Sequence, residues 1–301
     1  MARYGGRGAE RAHLERRRRR HRRPGCGFRR GAAAELNLRL DLGYDGRPFR
    51  GFARQAGART VEGEIESALS QILKRPKVST AVAGRTDAGV HALGQVMSVE
   101  DVPDALDLIS LRKTLNAMCG PAISIWECRR ADLGFHARFS ARSRMYVYAI
   151  LVAEVTDPFL APTTLQHPEP LDIDAMNEAA GHLLGRHDFS SFGRVPDGST
   201  GERALFELEA KPAGSVVRIR ARANSFIQQM VRSLAGTLIK VGDGRLSADD
   251  VPRILAGRDR SAAGPVCPPH GLCLVSVEYD EGWSRPPHLL SETVDPPRPA
   301  V

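Results

Sequence analysis

Hydrophobic residues take a period of two at Leu36, Leu38, Leu40 and Leu42, which alternate with Asn37, Arg39 and Asp41 and predict a strand with four leucines on one face. Gly43 to Gly46 ends it. After a loop the period lengthens: Val61, Ile65, Leu69, Ile72 and Leu73 recur at helical spacing. Thr60 offers the N-cap, Glu62 and Glu64 suit the helix start, Lys74 and Arg75 its end, and Pro76 stops it. A strand near 94 to 100, a helix near 105 to 118 with Leu106, Ile109, Leu115 and Met118 inward, and a strand near 122 to 128 complete a first half. The theme repeats from Arg144 to Val152, a strand with Met145, Val147, Ala149 and Leu151 on one face and Tyr146 and Tyr148 on the other. A helix from about Asp172 to Leu184 ends at Gly185. Strands near 203 to 210 and 215 to 223 form a hairpin through Pro212 to Gly214. A helix from about Ser225 to Val241 turns Ile227, Met230, Val231, Leu234 and Leu238 inward. Ser247 opens a short helix, and Leu272 to Tyr279 is the last strand. Hairpin-paired strands mixed with helices in two similar halves predict an α+β fold with mixed, mostly antiparallel sheets. The expected divisions are a disordered Arg-rich tail at 1–33, halves at 34–141 and 142–284, and a disordered Pro-rich tail at 285–301.

Composition narrows the function classes. The chain has 301 residues, of which 42% are hydrophobic and 26% charged, a globular balance. Residues 1 to 30 hold 12 Arg against Glu10 and Glu15, a net of +10, so the formal charge of +8 leaves residues 31 to 301 at −2. A body of that charge attracts a polyanion only through local clusters of arginine. For the tail, an RNA-binding arm, an organellar targeting segment, a start codon placed too far upstream and a dispensable extension all remain open. No apolar run is long enough to cross a bilayer and no signal-peptide core follows the basic start, which implies a cytoplasmic protein with no membrane partner. Cys26, Cys119, Cys128, Cys267 and Cys273 form no C-x-x-C pair and no finger spacing with His, so neither a disulfide framework nor a metal site is expected.

Candidate chemistry centres on Ala83-Gly84-Arg85-Thr86-Asp87-Ala88-Gly89-Val90-His91-Ala92, a glycine-punctuated loop between a short apolar stretch and a strand. It fits neither phosphate-binding glycine motif. It offers a carboxylate two residues from a guanidinium, with glycines that admit a close-lying ligand; such an Asp is by itself commonly a turn former or ion-pair partner. Arg218, Arg220 and Arg222 alternate with Val217, Ile219 and Ala221 along one strand face, which ordinarily means solvated charge. With Arg54, Arg138 and Arg144 they would alternatively make a basic surface for phosphates.

Residues 83 to 92 closely resemble the signature loop of the TruA-type tRNA pseudouridine synthases. Further blocks are similar: Tyr44-Asp45-Gly46 with Gly51-Phe52-Ala53-Arg54-Gln55; Ala137-Arg138-Phe139-Ser140-Ala141 leading to Arg144-Met145-Tyr146-Val147-Tyr148; Leu183-Leu184-Gly185 with His187-Asp188-Phe189-Ser190-Ser191-Phe192; Asn224-Ser225-Phe226-Ile227-Gln228-Gln229-Met230-Val231-Arg232 with Gly236-Thr237-Leu238; and Pro269-His270-Gly271-Leu272 with Val275. The resemblance spans about residues 36 to 280. It implies isomerisation of uridine to pseudouridine in the tRNA anticodon arm, at tRNA positions 38, 39 and 40, without cofactor or metal, by a homodimer with tRNA as partner. It implies a central active-site cleft between the halves, with Asp87 as the catalytic carboxylate. Tyr146 would stack on uracil, Arg85 would contact displaced RNA, and Arg232 would reach Asp87 from the late helix. Tyr148 would be a packing neighbour, and His91 carries no assigned role. Phe52 stands where the family usually has Trp, Gly193 replaces an Arg, and residues 194 to 202 match poorly, which bears on RNA affinity and target choice. A non-catalytic RNA-binding or tRNA-folding protein on the same scaffold, or a pseudouridine synthase with another RNA target, are the alternatives.

Overall fold

A computed structural model describes residues 36–284; the two expected tails lie outside that range. The first half contributes β1 (Leu36–Tyr44), α1 (Val61–Leu73), β2 (Thr80–Val82), β3 (His91–Val102), α2 (Leu108–Cys119) and β4 (Ile123–Ala131). The second contributes β5 (Ser143–Val152), β6 (Leu165–His167), α3 (Ile173–Gly181), β7 (Gly185–Asp188), β8 (Glu202–Ala213), β9 (Val216–Ala223), α4 (Met230–Gly242), α5 (Asp250–Gly257), β10 (Leu272–Tyr279) and β11 (Gly282–Trp283). All the strands belong to one sheet, whose main path runs β4-β1-β3-β10-β5-β9-β8-β7, with β2 on β3, β6 on β5 and β11 on β10. Strand β3 meets β10 in a short parallel pairing of His91 with Cys273 and Ala92 with Leu274. The β5–β6 pair is also parallel, and the other pairings are antiparallel, as an α+β fold with a mixed sheet requires.

The leucine period of β1 buries Leu38, Leu40 and Leu42 completely, but its polar alternates are buried too: Asn37, Arg39 and Asp41. A strand paired on both edges and covered on both faces cannot leave a charge unmatched. Arg39 therefore bonds Asp41 at 2.8 Å, reaches Glu281 near the end of the described chain, and lies 4.5 Å over the Tyr279 ring. Thr60 caps α1 as expected, its hydroxyl accepting from the Gly63 amide at 3.2 Å.

Three helices depart from the periodic reading. In α2 the inward stripe is Leu111, Leu115 and Cys119, while Ile109 and Met118 are exposed. Asn116 sets that rotation, because its side-chain amide bonds both the N–H and the C=O of Ile125 on β4 at 2.8 and 3.0 Å. Helix α3 stops at Gly181, three residues short of the expected end. Helix α4 starts at Met230, not Ser225. Residues 225 to 229 instead run beside Gly193 and Arg194, with Arg194 N–H donating to the Gln228 carbonyl at 3.0 Å. A Cβ on Gly193 would stand 2.5 Å from that same carbonyl oxygen. Ile227 is still buried, so the apolar period ran through a segment that is not helical. The hairpin reading of β8 and β9 holds, with the turn at Gly214.

Candidate active site

A cleft of about 660 Å³ is lined by the 83–87 loop, by Tyr146 of β5, by the irregular 225–229 segment and by the first turn of α4. Nearly every residue of the loop is pinned. The Ala83 amide donates to Val96 and its carbonyl accepts two bonds from the Arg144 guanidinium, at 3.1 and 2.8 Å. The Gly84 carbonyl accepts from Gln95 Nε2 at 2.7 Å. The Thr86 hydroxyl bonds the Tyr44 hydroxyl at 2.8 Å, and its carbonyl accepts from the Phe52 amide. Phe52, fully buried and 5.9 Å from the Tyr44 ring, packs behind the loop. The turn closes where Val90 N–H meets the Asp87 carbonyl, and Gly89 takes φ +80 beside Pro269, a conformation that favours glycine.

Asp87, in the loop between β2 and β3, and Arg232, in the first turn of α4, meet at 2.9 Å, Nη1 to Oδ2, with both side chains mostly buried. Arg232 is itself held by Nε donating to the Cys267 carbonyl at 2.6 Å. Oδ1 of Asp87 has no hydrogen bond among the described residues. Tyr146 lies between Leu274 and Ala221 in the sheet, is 7% exposed, and meets Phe226 edge to face at 5.2 Å. Burial raises the Tyr146 phenol above its ordinary value, Arg144 opposes that, and Asp87 adds to it, so the hydroxyl keeps its proton. It makes no hydrogen bond among the described residues. Arg85 is the exception in the loop: exposed, in the cleft, and without an ion pair or side-chain hydrogen bond among the described residues. The structure thus brings Asp87, Tyr146, Arg85 and Arg232 to one cleft.

Arg144 does not belong to a phosphate surface. It is 7% exposed, and its guanidinium donates to the carbonyls of Ala83, Arg138, Ala141 and Asn224, tying the loop to the 138–141 and 224–229 segments. Arg54 pairs with Glu66 at 3.0 Å, and Arg220 and Arg222 share Glu207 at 3.0 and 3.7 Å, so these charges are already matched. Of the expected basic group, Arg138 and Arg144 line the cleft with no carboxylate partner among the described residues, and Arg138 is the exposed one of the two. Tyr148 is fully buried, donating to the Pro268 carbonyl at 2.9 Å. His91 fixes a loop, its Nδ1 accepting from the Gly46 amide at 3.2 Å. Sequence reasoning missed the clamp role of Arg144 and the supports from Gln95 and Thr86, for which no local pattern gives a signal.

Among the described residues no group of three or more His, Cys, Asp or Glu side chains is placed to hold a metal ion, and no helix is long and apolar enough to cross a membrane. Burial raises the thiols of Cys119 and Cys267 to about 11, so both stay protonated at neutral pH.

A sequence profile described as tRNA pseudouridine synthase matches residues 179–280. The chain is 46% identical over 247 residues to tRNA pseudouridine synthase A of Frankia casuarinae, covering 81% of this chain and 89% of that one. It is 41% identical over 256 residues to tRNA pseudouridine synthase A of Burkholderia multivorans, covering 85% and 94%. A solved archaeal box H/ACA sRNP Nop10-Cbf5 complex overlaps 75% of this chain and 59% of that one, at 12% identity and a TM-score of 0.30, too low to bear on the fold.

Proposed function

The chain belongs to the TruA-type tRNA pseudouridine synthases, enzymes that isomerise uridine to pseudouridine, and from that premise we propose that it acts on the anticodon arm at tRNA positions 38, 39 and 40 with Asp87 as its catalytic carboxylate. The observation that carries this reading is the Asp87–Arg232 pair, whose two residues line one cleft. The reaction breaks the bond from ribose C1′ to uracil N1 and forms one from C1′ to C5. The hydrogen on C5 leaves as a proton and N1 gains one, so substrate and product have the same atoms. Detaching the base needs a group that attacks or deprotonates, and the free Oδ1 of Asp87 supplies it. Arg232 orients the carboxylate through the other oxygen. A base lifted from the stack enters against Tyr146, whose ring offers a π face and whose protonated hydroxyl offers a donor. Arg85, unpaired among the described residues, takes the displaced RNA backbone. No cofactor takes part in this reading. Two copies form the working unit, as sedimentation of the free protein would show.

The test is tritium release from unmodified tRNA labelled at C5 of uracil. Wild type is expected to release label and Asp87→Ala to lose at least about 10²-fold in rate. No release by folded wild-type protein, or equal release by Asp87→Ala, overturns the reading. Mapping the modified positions decides whether 38, 39 and 40 are the targets.

A further inference from the structure

One turn at the cleft wall is rigid, yet it leaves a large aromatic side chain in water. Phe139 is 77% exposed, although residues 136 to 140 are held from several sides. The amides of Arg138 and Phe139 both donate to His136 Nδ1, at 3.2 and 3.3 Å. The Ser140 amide donates to the His136 carbonyl, and the Ser140 hydroxyl accepts from the His136 amide. Ala137 is anchored by Ser98 and by the Tyr279 hydroxyl, and the Arg138 carbonyl by Arg144. The His136 ring lies 4.4 Å from the Phe139 ring at 33°, and Cζ of Arg138 lies 5.5 Å from the same ring. His136, Arg138 and Phe139 all line the cleft that holds Asp87.

Phe49 makes the instructive contrast. It too has a guanidinium over its ring, that of Arg59 at 4.9 Å, but it is buried in the core. Phe139 contributes no such burial, so the core does not account for a Phe there. A fixed backbone presenting a flat π surface, flanked by a cation that no described carboxylate neutralises, is suited to an unstacked nucleobase. We propose that Phe139, with Arg138 and His136 as its frame, is a stacking ledge for the RNA base that flanks the displaced uridine. This rests on the tRNA-modifying reading above. A base leaving its stack exposes the faces of its neighbours, and the ledge covers one of them. Stacking tolerates any base, so the ledge adds affinity without reading sequence.

The test measures binding of unmodified tRNA by Asp87→Asn protein, which cannot turn over, alone and with a second substitution. Adding Phe139→Ala is expected to weaken binding by about 5- to 150-fold, the loss of one base–aromatic stack. Phe139→Leu, apolar but without a π face, should weaken it comparably, whereas Phe139→Trp should stay within about twofold of the parent. Arg138→Ala should lower the slope of log affinity against log salt by about 0.7, and Phe139→Ala should leave that slope unchanged. Because the Phe139 side chain stands outside the core, melting temperatures should match across the set. Parent-like binding by Phe139→Ala or by Phe139→Leu overturns the ledge while tritium release by wild type still stands. A parent that binds no tRNA, with wild type that releases no tritium, overturns the functional reading and the ledge with it.

Discussion

Two sets of arginines divide this molecule. Along β9, Arg220 and Arg222 share Glu207, and Arg222 also approaches Glu278 at 3.9 Å. Around the cleft, Arg85 and Arg138 meet no carboxylate among the described residues. Both sets are arginines on or beside strands, and periodicity sees the first far more clearly than the second. What separates them is whether an anion of the protein already sits beside the charge. A matched guanidinium gives little field to a polyanion, whereas an unmatched one at the wall of a cleft is available to phosphate. By charge, the regular row offers a polyanion less than the cleft wall does.

Arg144 stands apart from both sets, and its removal should give the largest effect. Four carbonyls from three segments converge on one buried guanidinium. Arg144→Met leaves those oxygens with no donor in a dry site, and we expect a loss of at least about 3 kcal/mol, read from urea unfolding. Arg144→Lys should recover only part, since a single ammonium cannot span a planar fork's four acceptors. Unfolding of Arg144→Met at the wild-type urea concentration would remove the clamp from the account and return Arg144 to the basic surface.

His91 represents a third way of handling a charge, suppression by burial, and its effect is smaller. Burial lowers its imidazole below the ordinary 6.5, outweighing the opposing pull of Asp45. On acidification the unfolded chain takes a proton near pH 6.5 that the folded protein refuses. The unfolded state then holds more protons, so stability falls as pH drops from about 6.5 toward the folded value, by at most about 1.4 kcal/mol per pH unit. His91→Gln should flatten that part of the dependence. Urea midpoints at pH 7.5 and 5.5 check it: an equal difference between the two pH values in wild type and variant would show that His91 contributes none.

Much of this contrast could be foreseen and part could not, for a physical reason. Strand β10 falls at Leu272–Tyr279, the bounds expected of the last strand, although the short β11 follows it, and the Thr60 cap needs only the next three residues. Both are local. The inward face of α2 depends on Asn116 docking against Ile125, and the start of α4 on a backbone contact with Gly193, neither of which periodicity encodes. At the cleft the partners lie farther apart: 61 residues separate Arg144 from Ala83, and 145 separate Arg232 from Asp87. The resemblance supplied the residues of the cleft, but spacing could not tell a clamp from a phosphate contact, because Arg138 and Arg144 look alike in sequence. Burial tells them apart.

The smallest expected effect tests the comparison most directly. If Glu207 is what keeps the β9 row from acting on RNA, then Glu207→Gln should release Arg220 as a phosphate contact, and Arg222 less so because Glu278 stays beside it. Both pairs are partly exposed, and such pairs contribute only about 0.2–1 kcal/mol. The gain in affinity for non-specific RNA should therefore be about twofold to fivefold at low salt, with a steeper salt dependence. In the protein as it stands, Arg85→Ala should lower the salt slope for tRNA by about 0.7 to 0.9, whereas Arg220→Ala should leave it unchanged. If Arg220→Ala lowered the slope as much as Arg85→Ala, and Glu207→Gln changed nothing, the row would contact RNA despite its carboxylates. Charge matching would then no longer distinguish the two sets. The opposite outcome would make the carboxylate partner, and not the position along the strand, the feature that decides which arginines meet the substrate.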